Sequence, residues 1–269
     1  MPNIMLKTRS FFTALFLLCA ADLPISARAE QFVSLNLCSD RLLIELARPE
    51  QIAAMSPYSQ KPLMMLEKIN RTKPVVEPNL LELLPYQDKT ILLNPQFYPR
   101  LTEQLKQLGV KVVPVSDPHT VEQLFALIEQ LGELTGNPDK AERLIKQLRF
   151  PKTRLNTALT DTLILTETGV ADQHLPQYQA LLDLLGLSAL KEALTPQNFS
   201  LETLLLAQPN RLISITDKQS YNAQSALLSH PILQKIFPHR TLATLPMKYT
   251  YCFDHGLWQG AERVYRQLK

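Results

Sequence analysis

Five histidines, three cysteines and a scatter of serines and carboxylates are the side chains with which this sequence could do chemistry, and their spacing excludes more than it grants. No G-x-S-x-G elbow frames a nucleophile; Ser56 and Ser116, the serines nearest a strand-to-loop turn, read as ordinary loop residues. Neither H-E-x-x-H nor a C-x-x-C or H-x-H pair offers metal-ligand spacing. His119, His174, His230, His239 and His255 stand singly, and only convergence of His119, His174 and His255 from both halves of the chain would make a divalent-metal site. Phosphate-cradling loops of the G-x-G-x-x-G or G-x-x-x-x-G-K-[ST] type are absent. No catalytic residue, metal ligand or resident cofactor is assigned.

Aromatic residues are more informative. Tyr58, Phe97, Tyr98, Tyr221, Tyr249, Tyr251, Phe253 and Trp258 fall where strand patterns give way to loops. In parallel α/β sheets that edge receives ligands, and aromatic rings with a few polar groups suit a bulky, partly apolar one. The competing reading is that half or more of these rings are core or interlobe packing.

The elements that must position these rings alternate. FVSLNL, QIAAMS, TILLNP and VKVVPVS read as strands, separated by amphipathic stretches such as DRLLIELA and PRLTEQLKQLG. Their near-continuous apolarity suits parallel strands covered on both faces. Thr120 to Leu148 is the longest helical pattern, interrupted at Gly136-Asn137-Pro138. A second α/β series follows, and PNLLELLPYQDKTILL is echoed by FSLETLLLAQPNRLIS. The expected fold is α/β: two Rossmann-like lobes with mainly parallel sheets, residues 30–119 and 150–269, joined by one long backbone helix within 120–149.

Residues 1–29 read as a cleavable signal peptide: Lys7 and Arg9 form the n-region, Phe11 to Ala21 the h-region, and Ala27-Arg28-Ala29 the cleavage site. Asp22, Pro24 and Arg28 interrupt the run before it reaches the length of a membrane span. Leu18 before Cys19 is not the small residue that lipoprotein processing requires. Cleavage would leave 25 basic against 24 acidic side chains, without the basic stripe that nucleic-acid binding needs. Of the cysteines, Cys38 and Cys252 would remain, in a compartment that permits pairing. They form either a disulfide across the interlobe cleft or two separate buried thiols.

The order and spacing of FVSLNLCSDRLLIELARPEQIAAMSPYS, of LTEQLKQLGVKVVPVSDPHTVEQLFALIEQLGELTGNPDKAERLIKQL, of FSLETLLLAQPNRLISI and of HPILQKIF resemble the periplasmic substrate-binding proteins of the helical-backbone class. These serve ABC importers of cobalamin and ferric siderophores. The resemblance covers nearly the whole chain after residue 29. It implies two lobes, a ligand held between them, little hinge movement and no catalysis. It also implies that a glutamate on each lobe docks against arginines of the permease. Ser200-Leu201-Glu202, followed by Pro209, matches that motif in lobe two, whereas in lobe one the matching position is Leu81, with Glu82 one place later. Glu202 and Glu82 are therefore the docking candidates. Tyr249-Thr250-Tyr251-Cys252-Phe253-Asp254-His255-Gly256 departs from the family's Trp-x-Cys-Gly-rich loop.

The expectation is thus a monomeric periplasmic receptor that captures an iron-siderophore or cobalamin-type chelate and hands it to an ABC permease. Candidate ligand contacts, chosen because they lie at or beyond strand ends, are Asn36, Tyr58, Phe97, Tyr98, Glu167, Tyr221, Phe253 and Trp258. A divalent-metal or haem receptor of the same fold is the nearer alternative, and a secreted hydrolase the more distant one.

Overall fold

The computed structural model describes residues 30–66, 73–155, 161–166, 169–190, 194, 199–217, 231–236 and 242–269. The expected signal peptide lies outside the described residues. None of the described helices is long and apolar enough to cross a membrane.

Phe32, Val33 and Ser34 carry no exposed surface, as a strand covered on both faces requires. They form β1 (Phe32–Ser34), which lies in a parallel sheet of order β2-β1-β3-β4 with β2 (Ile52–Ala54), β3 (Thr90–Leu93) and β4 (Val112–Pro114). Side chains alternate across this sheet. Phe32 and Leu92 face a core shared with α1 (Leu37–Leu46), α4 (Val121–Leu134) and α5 (Pro138–Arg149). Val33, Leu35, Ile91 and Leu93 face the opposite core, with α2 (Leu80–Leu83) and α3 (Pro99–Gln107).

The second lobe repeats the scheme. β5 (Asp161–Thr166), β8 (Arg211–Ile215) and β9 (Leu242–Leu245) are parallel, and β5 also pairs with two short strands, antiparallel β6 (Gly169–Val170) and parallel β7 (Ser188–Ala189). Ile164, Ile213 and Leu245 pack beneath α6 (Pro176–Leu185) and the C-terminal α9 (Gly256–Leu268), whereas Leu163, Leu165 and Leu212 pack with Leu204 of α7 (Leu201–Ala207). The short α8 (Pro231–Ile236) precedes β9.

The joining segment corrects the expectation of one long helix. α4 ends at Leu134, Gly136 takes a left-handed φ of 66°, and Pro138 opens α5 with its ring-fixed geometry. A Cβ at Gly132 would collide with that of Ala141, so the two helices pack directly on each other. Ala141, Ile145 and Leu148 of α5 are buried in the core of lobe one. The lobes are instead tied together by α9: Leu257 and Trp258 enter the first core, and Ala261, Val264 and Leu268 enter the second.

Candidate functional site

Each strand of lobe one delivers its successor loop to the carboxyl edge of the sheet. After β2 the chain turns through Ser56 and Pro57 to Tyr58; after β3, Asn94 starts a turn whose carbonyl accepts from the N–H groups of Phe97 and Tyr98. The Phe97 and Tyr98 rings meet edge to face, 6.5 Å apart. Phe97 is 59% exposed and Tyr58 38%. The Tyr98 hydroxyl is pushed above the usual phenol range by burial, and further by the neighbouring Tyr58 and Glu77. Lys61 lies 5.0 Å from the Tyr58 ring centre, a cation–π distance. Three of the candidate residues, Tyr58, Phe97 and Tyr98, thus form one aromatic shelf.

Asn36 follows β1 directly and precedes α1. Its Oδ1 caps α1 by accepting from the Ser39 N–H at 2.8 Å, and the side chain is buried. Its role in this structure is to start α1. Glu167 and Tyr221 lie outside the described residues.

Lobe two brings a different aromatic to its edge. Beyond β9 the chain makes a short turn at Met247–Tyr249 and presents Tyr251, 38% exposed, its hydroxyl 3.8 Å from the Met247 sulfur. Phe253 and Trp258 are placed otherwise than their position in the sequence suggested. Both are buried in the lobe-one core, and the Trp258 indole N–H donates to the Leu148 carbonyl at 2.7 Å. Trp258 is a packing residue on α9, 13 residues beyond the end of β9 at Leu245. Phe253 still borders a cavity of about 660 Å³, lined also by His119, Thr120, Arg154, His174 and Gln179.

The two lobes meet along one face of α1. Cys38, Arg41 and Glu45, spaced by three and four residues, share that face. Cys38 is bonded to Cys252, with Cα atoms 5.6 Å apart. Arg41 forms a fully buried ion pair with Asp254 at 3.2 Å, and also donates to the carbonyls of Met64 and Lys248, the latter at 2.7 Å. Lys248 in turn donates to the Leu66 carbonyl. Glu45 lies 3.5 Å from His255. Burial disfavours the charged ring of His255, but the hydrogen bond to Glu45 and the carboxylates of Asp254 and Glu45 outweigh it and raise its pKa. The segment following Tyr58 therefore joins the segment preceding Tyr251, and the two aromatic edges flank a fixed junction.

His255 is committed to that junction, so it does not meet His119 and His174, which share the cavity beside Phe253. Among the described residues no group of three or more His, Cys, Asp or Glu side chains converges as a metal site would need. Ser56 donates its hydroxyl to Asp40 at 2.5 Å, so its observed partner is a carboxylate and not an imidazole. Ser56 therefore does not supply the nucleophile–base pair that the hydrolase alternative needs.

Asp40 carries a testable consequence. It is buried, and burial raises its pKa to about 7, although the hydroxyls of Ser34 and Ser56, the Ser56 N–H and Arg41 pull the other way. An unfolded aspartate titrates at about 3.9, so the native state binds the extra proton between there and about 7. Stability from this group is therefore fully present at low pH and falls as pH rises, by up to about 1.4 kcal/mol per pH unit. Denaturation measured across this range is expected to lose that slope in Asp40→Asn; an unchanged slope would assign the proton elsewhere.

No family model matches the chain, and no curated protein matches it in sequence. Solved structures do. The periplasmic heme-binding protein HutB of Vibrio cholerae superposes with a TM-score of 0.66 at 15% identity, covering 89% of this chain and 99% of that one. The periplasmic vitamin B12-binding protein BtuF of Vibrio cholerae gives 0.55 at 16% identity, with coverage of 90% and 97%. The siderophore-binding protein BauB, bound to a complex of two acinetobactin molecules and ferric iron, gives 0.64 at 14%, with coverage of 89% and 93%. At these identities the likeness establishes the fold, that of the two-lobed substrate-binding proteins.

Proposed function

We propose that this chain is the periplasmic substrate-binding protein of an ABC importer, capturing an iron-siderophore or cobalamin-type chelate between its lobes and delivering it to the permease. The observation that carries this reading is the shelf of Tyr58, Phe97 and Tyr98 at the carboxyl edge of lobe one, with exposed Tyr251 at the edge of lobe two. Large rings left open to solvent at the ligand-binding edge of a parallel sheet suit a bulky, partly apolar ligand. The neighbours' ligands, as their descriptions name them, are heme, vitamin B12 and a ferric siderophore. Export through cleavage of residues 1–29 would place the receptor, acting as a monomer, beside the permease.

Two exposed acidic groups supply docking candidates. Glu82 follows the cap of α2, its N–H donating to Asn79 Oδ1 at 3.0 Å; Glu202 follows the cap of α7 and accepts from the Ser200 hydroxyl at 2.8 Å. Exposed carboxylates so placed can pair with arginines of a membrane partner.

A second reading, haem as the cargo, has one specific observation in its favour: His119 of lobe one and His174 of lobe two line the same cavity. Titration of the mature chain with haemin, cyanocobalamin and ferric siderophores tests both. At least one chelate is expected to bind with micromolar affinity or better, about −8 kcal/mol. If haemin is that ligand, His119→Ala and His174→Ala should change its absorption spectrum. Binding of every member weaker than about millimolar, near −4 kcal/mol, would sink the transport reading.

A further inference from the structure

The turn that carries Tyr58 is held by α1. Asp40, in the first turn of that helix, is fully buried and accepts twice from one residue: from the Ser56 hydroxyl at 2.5 Å and from the Ser56 N–H at 3.3 Å. Ser56 begins the short turn Pro57–Gln60, and its carbonyl accepts from the N–H and the hydroxyl of Ser59 at 3.0 and 2.7 Å. Pro57 stands between Ser56 and Tyr58 with its φ fixed by the ring, so the orientation set at Ser56 passes to Tyr58 with little slack. Lys61 closes the same turn, its N–H donating to the Tyr58 carbonyl at 2.9 Å.

The two protonation states of Asp40 hold that turn differently. Ionised, the carboxylate only accepts, so both Ser56 donors stay aimed at it, in charge-assisted bonds about twice as strong as neutral ones. Protonated, its own O–H donates to Ser56 Oγ, the serine proton turns away, and the turn is left with neutral contacts. The groups that face Asp40 are the Ser34 hydroxyl of β1, Ser56 beyond β2 and, on its own helix, Arg41, whose charge is paired with Asp254. His255 faces Glu45, five residues further along α1. We propose that Asp40 is a positioning residue for the cargo site: loss of its proton tightens the turn from Ser56 to Tyr58 and so couples cargo affinity to pH. Its role rests on the importer reading, in which Tyr58 contacts the cargo. Cargo then binds better to the ionised protein and, by linkage, expels the Asp40 proton on binding. Burial, which brings this carboxyl to about 7, sets the exchange near neutral pH. Ionisation thus lowers the stability of the fold while it orders the turn.

Affinities of the mature parent, Asp40→Asn and Tyr58→Ala proteins for haemin, cyanocobalamin and ferrichrome, each measured at about pH 6 and about pH 8, test this. Each variant is compared with the parent for the same probe, so that titration of the probe itself cancels. Relative to Asp40→Asn, the parent is expected to gain about threefold to tenfold in affinity over this range, tenfold being one unit of pKa. Asp40→Asn, a neutral isostere, should match the acid form of the parent at both pH values. Tyr58→Ala should bind more weakly and lose the gain, because the coupling runs through its ring; a merely structural Asp40 would leave the pH profile of Tyr58→Ala like that of the parent. Calorimetry in buffers of different ionisation heat should show the parent releasing a proton on binding near neutral pH, and Asp40→Asn releasing none. A parent without the gain, or a gain that persists in Asp40→Asn or in Tyr58→Ala, would overturn the inference. Failure of all three probes to bind the parent, or binding by Tyr58→Ala as tight as the parent's at both pH values, would defeat the reading on which it rests and the inference with it.

Discussion

Asp254→Ala is expected to lower the stability of the folded protein by about 3–5 kcal/mol, the usual effect of removing one partner from a buried ion pair. Arg41 and Asp254 are both about 1% exposed, so the guanidinium left behind has no route to water. Its contacts to the Met64 and Lys248 carbonyls would remain, but carbonyls do not neutralise a charge. The pair joins α1 to the start of α9, so the loss falls on the junction between the lobes. The double replacement Arg41→Met with Asp254→Leu removes both charges and is expected to lose less than Asp254→Ala, its remaining loss coming from the Met64 and Lys248 carbonyls and the Gly256 N–H that lose these partners. Chemical denaturation of the three proteins decides the point. A loss below about 1 kcal/mol in Asp254→Ala would mean that the junction is solvated.

Opening the Cys38–Cys252 bond is the second large effect. The bond closes a sequence separation of 214 residues, so it restricts the unfolded chain over nearly its whole length. On the chain-entropy account a loop of this size contributes about 5 kcal/mol, and removal of native disulfides commonly costs about 2–5 kcal/mol. Cys38→Ala with Cys252→Ala is expected to lose that amount, and the parent should show no free thiol in denaturant after residues 1–29 are removed. Two titratable thiols in that protein, or a variant as stable as the parent, would contradict the bond.

The two-lobed α/β architecture was legible because its signals are local: apolar strand runs, amphipathic helices, and the echo of PNLLELLPYQDKTILL in FSLETLLLAQPNRLIS, which became α2–β3 and α7–β8. The break at Gly136-Asn137-Pro138 was legible too, with Pro138 suited to start a new helix, but the direction taken after it was not. Thr120 to Leu148 keeps one apolar repeat through the break, yet the positive φ of Gly136 redirects the chain, so one pattern became two packed helices. The site shows the same division. Tyr58, Phe97 and Tyr98 follow strands directly, and their place at the sheet edge follows from topology. Phe253 and Trp258 follow a strand only after a further turn, and whether such a ring faces a cleft or a core depends on α9 packing across two lobes, which no local pattern encodes. Tyr251, two residues before Phe253, is the ring that reaches solvent; an apolar count cannot separate the two. Asn36 carried a second signal that favours the structural role, an Asn three residues ahead of Ser39 at the opening of a helical pattern, the signature of a cap.

If ligand is held on the aromatic shelf, as proposed, removing its rings should weaken binding. Calorimetric titration of the tightest-binding chelate into the parent, Tyr58→Ala, Phe97→Ala and Phe150→Ala proteins measures this. Phe150 is an exposed ring that ends α5 and follows no strand, and it serves as the control. Tyr58→Ala and Phe97→Ala are each expected to weaken binding about tenfold or more, with folding intact, and Phe150→Ala to leave it unchanged. Equal affinities in all four proteins, or a loss confined to Phe150→Ala, would contradict it.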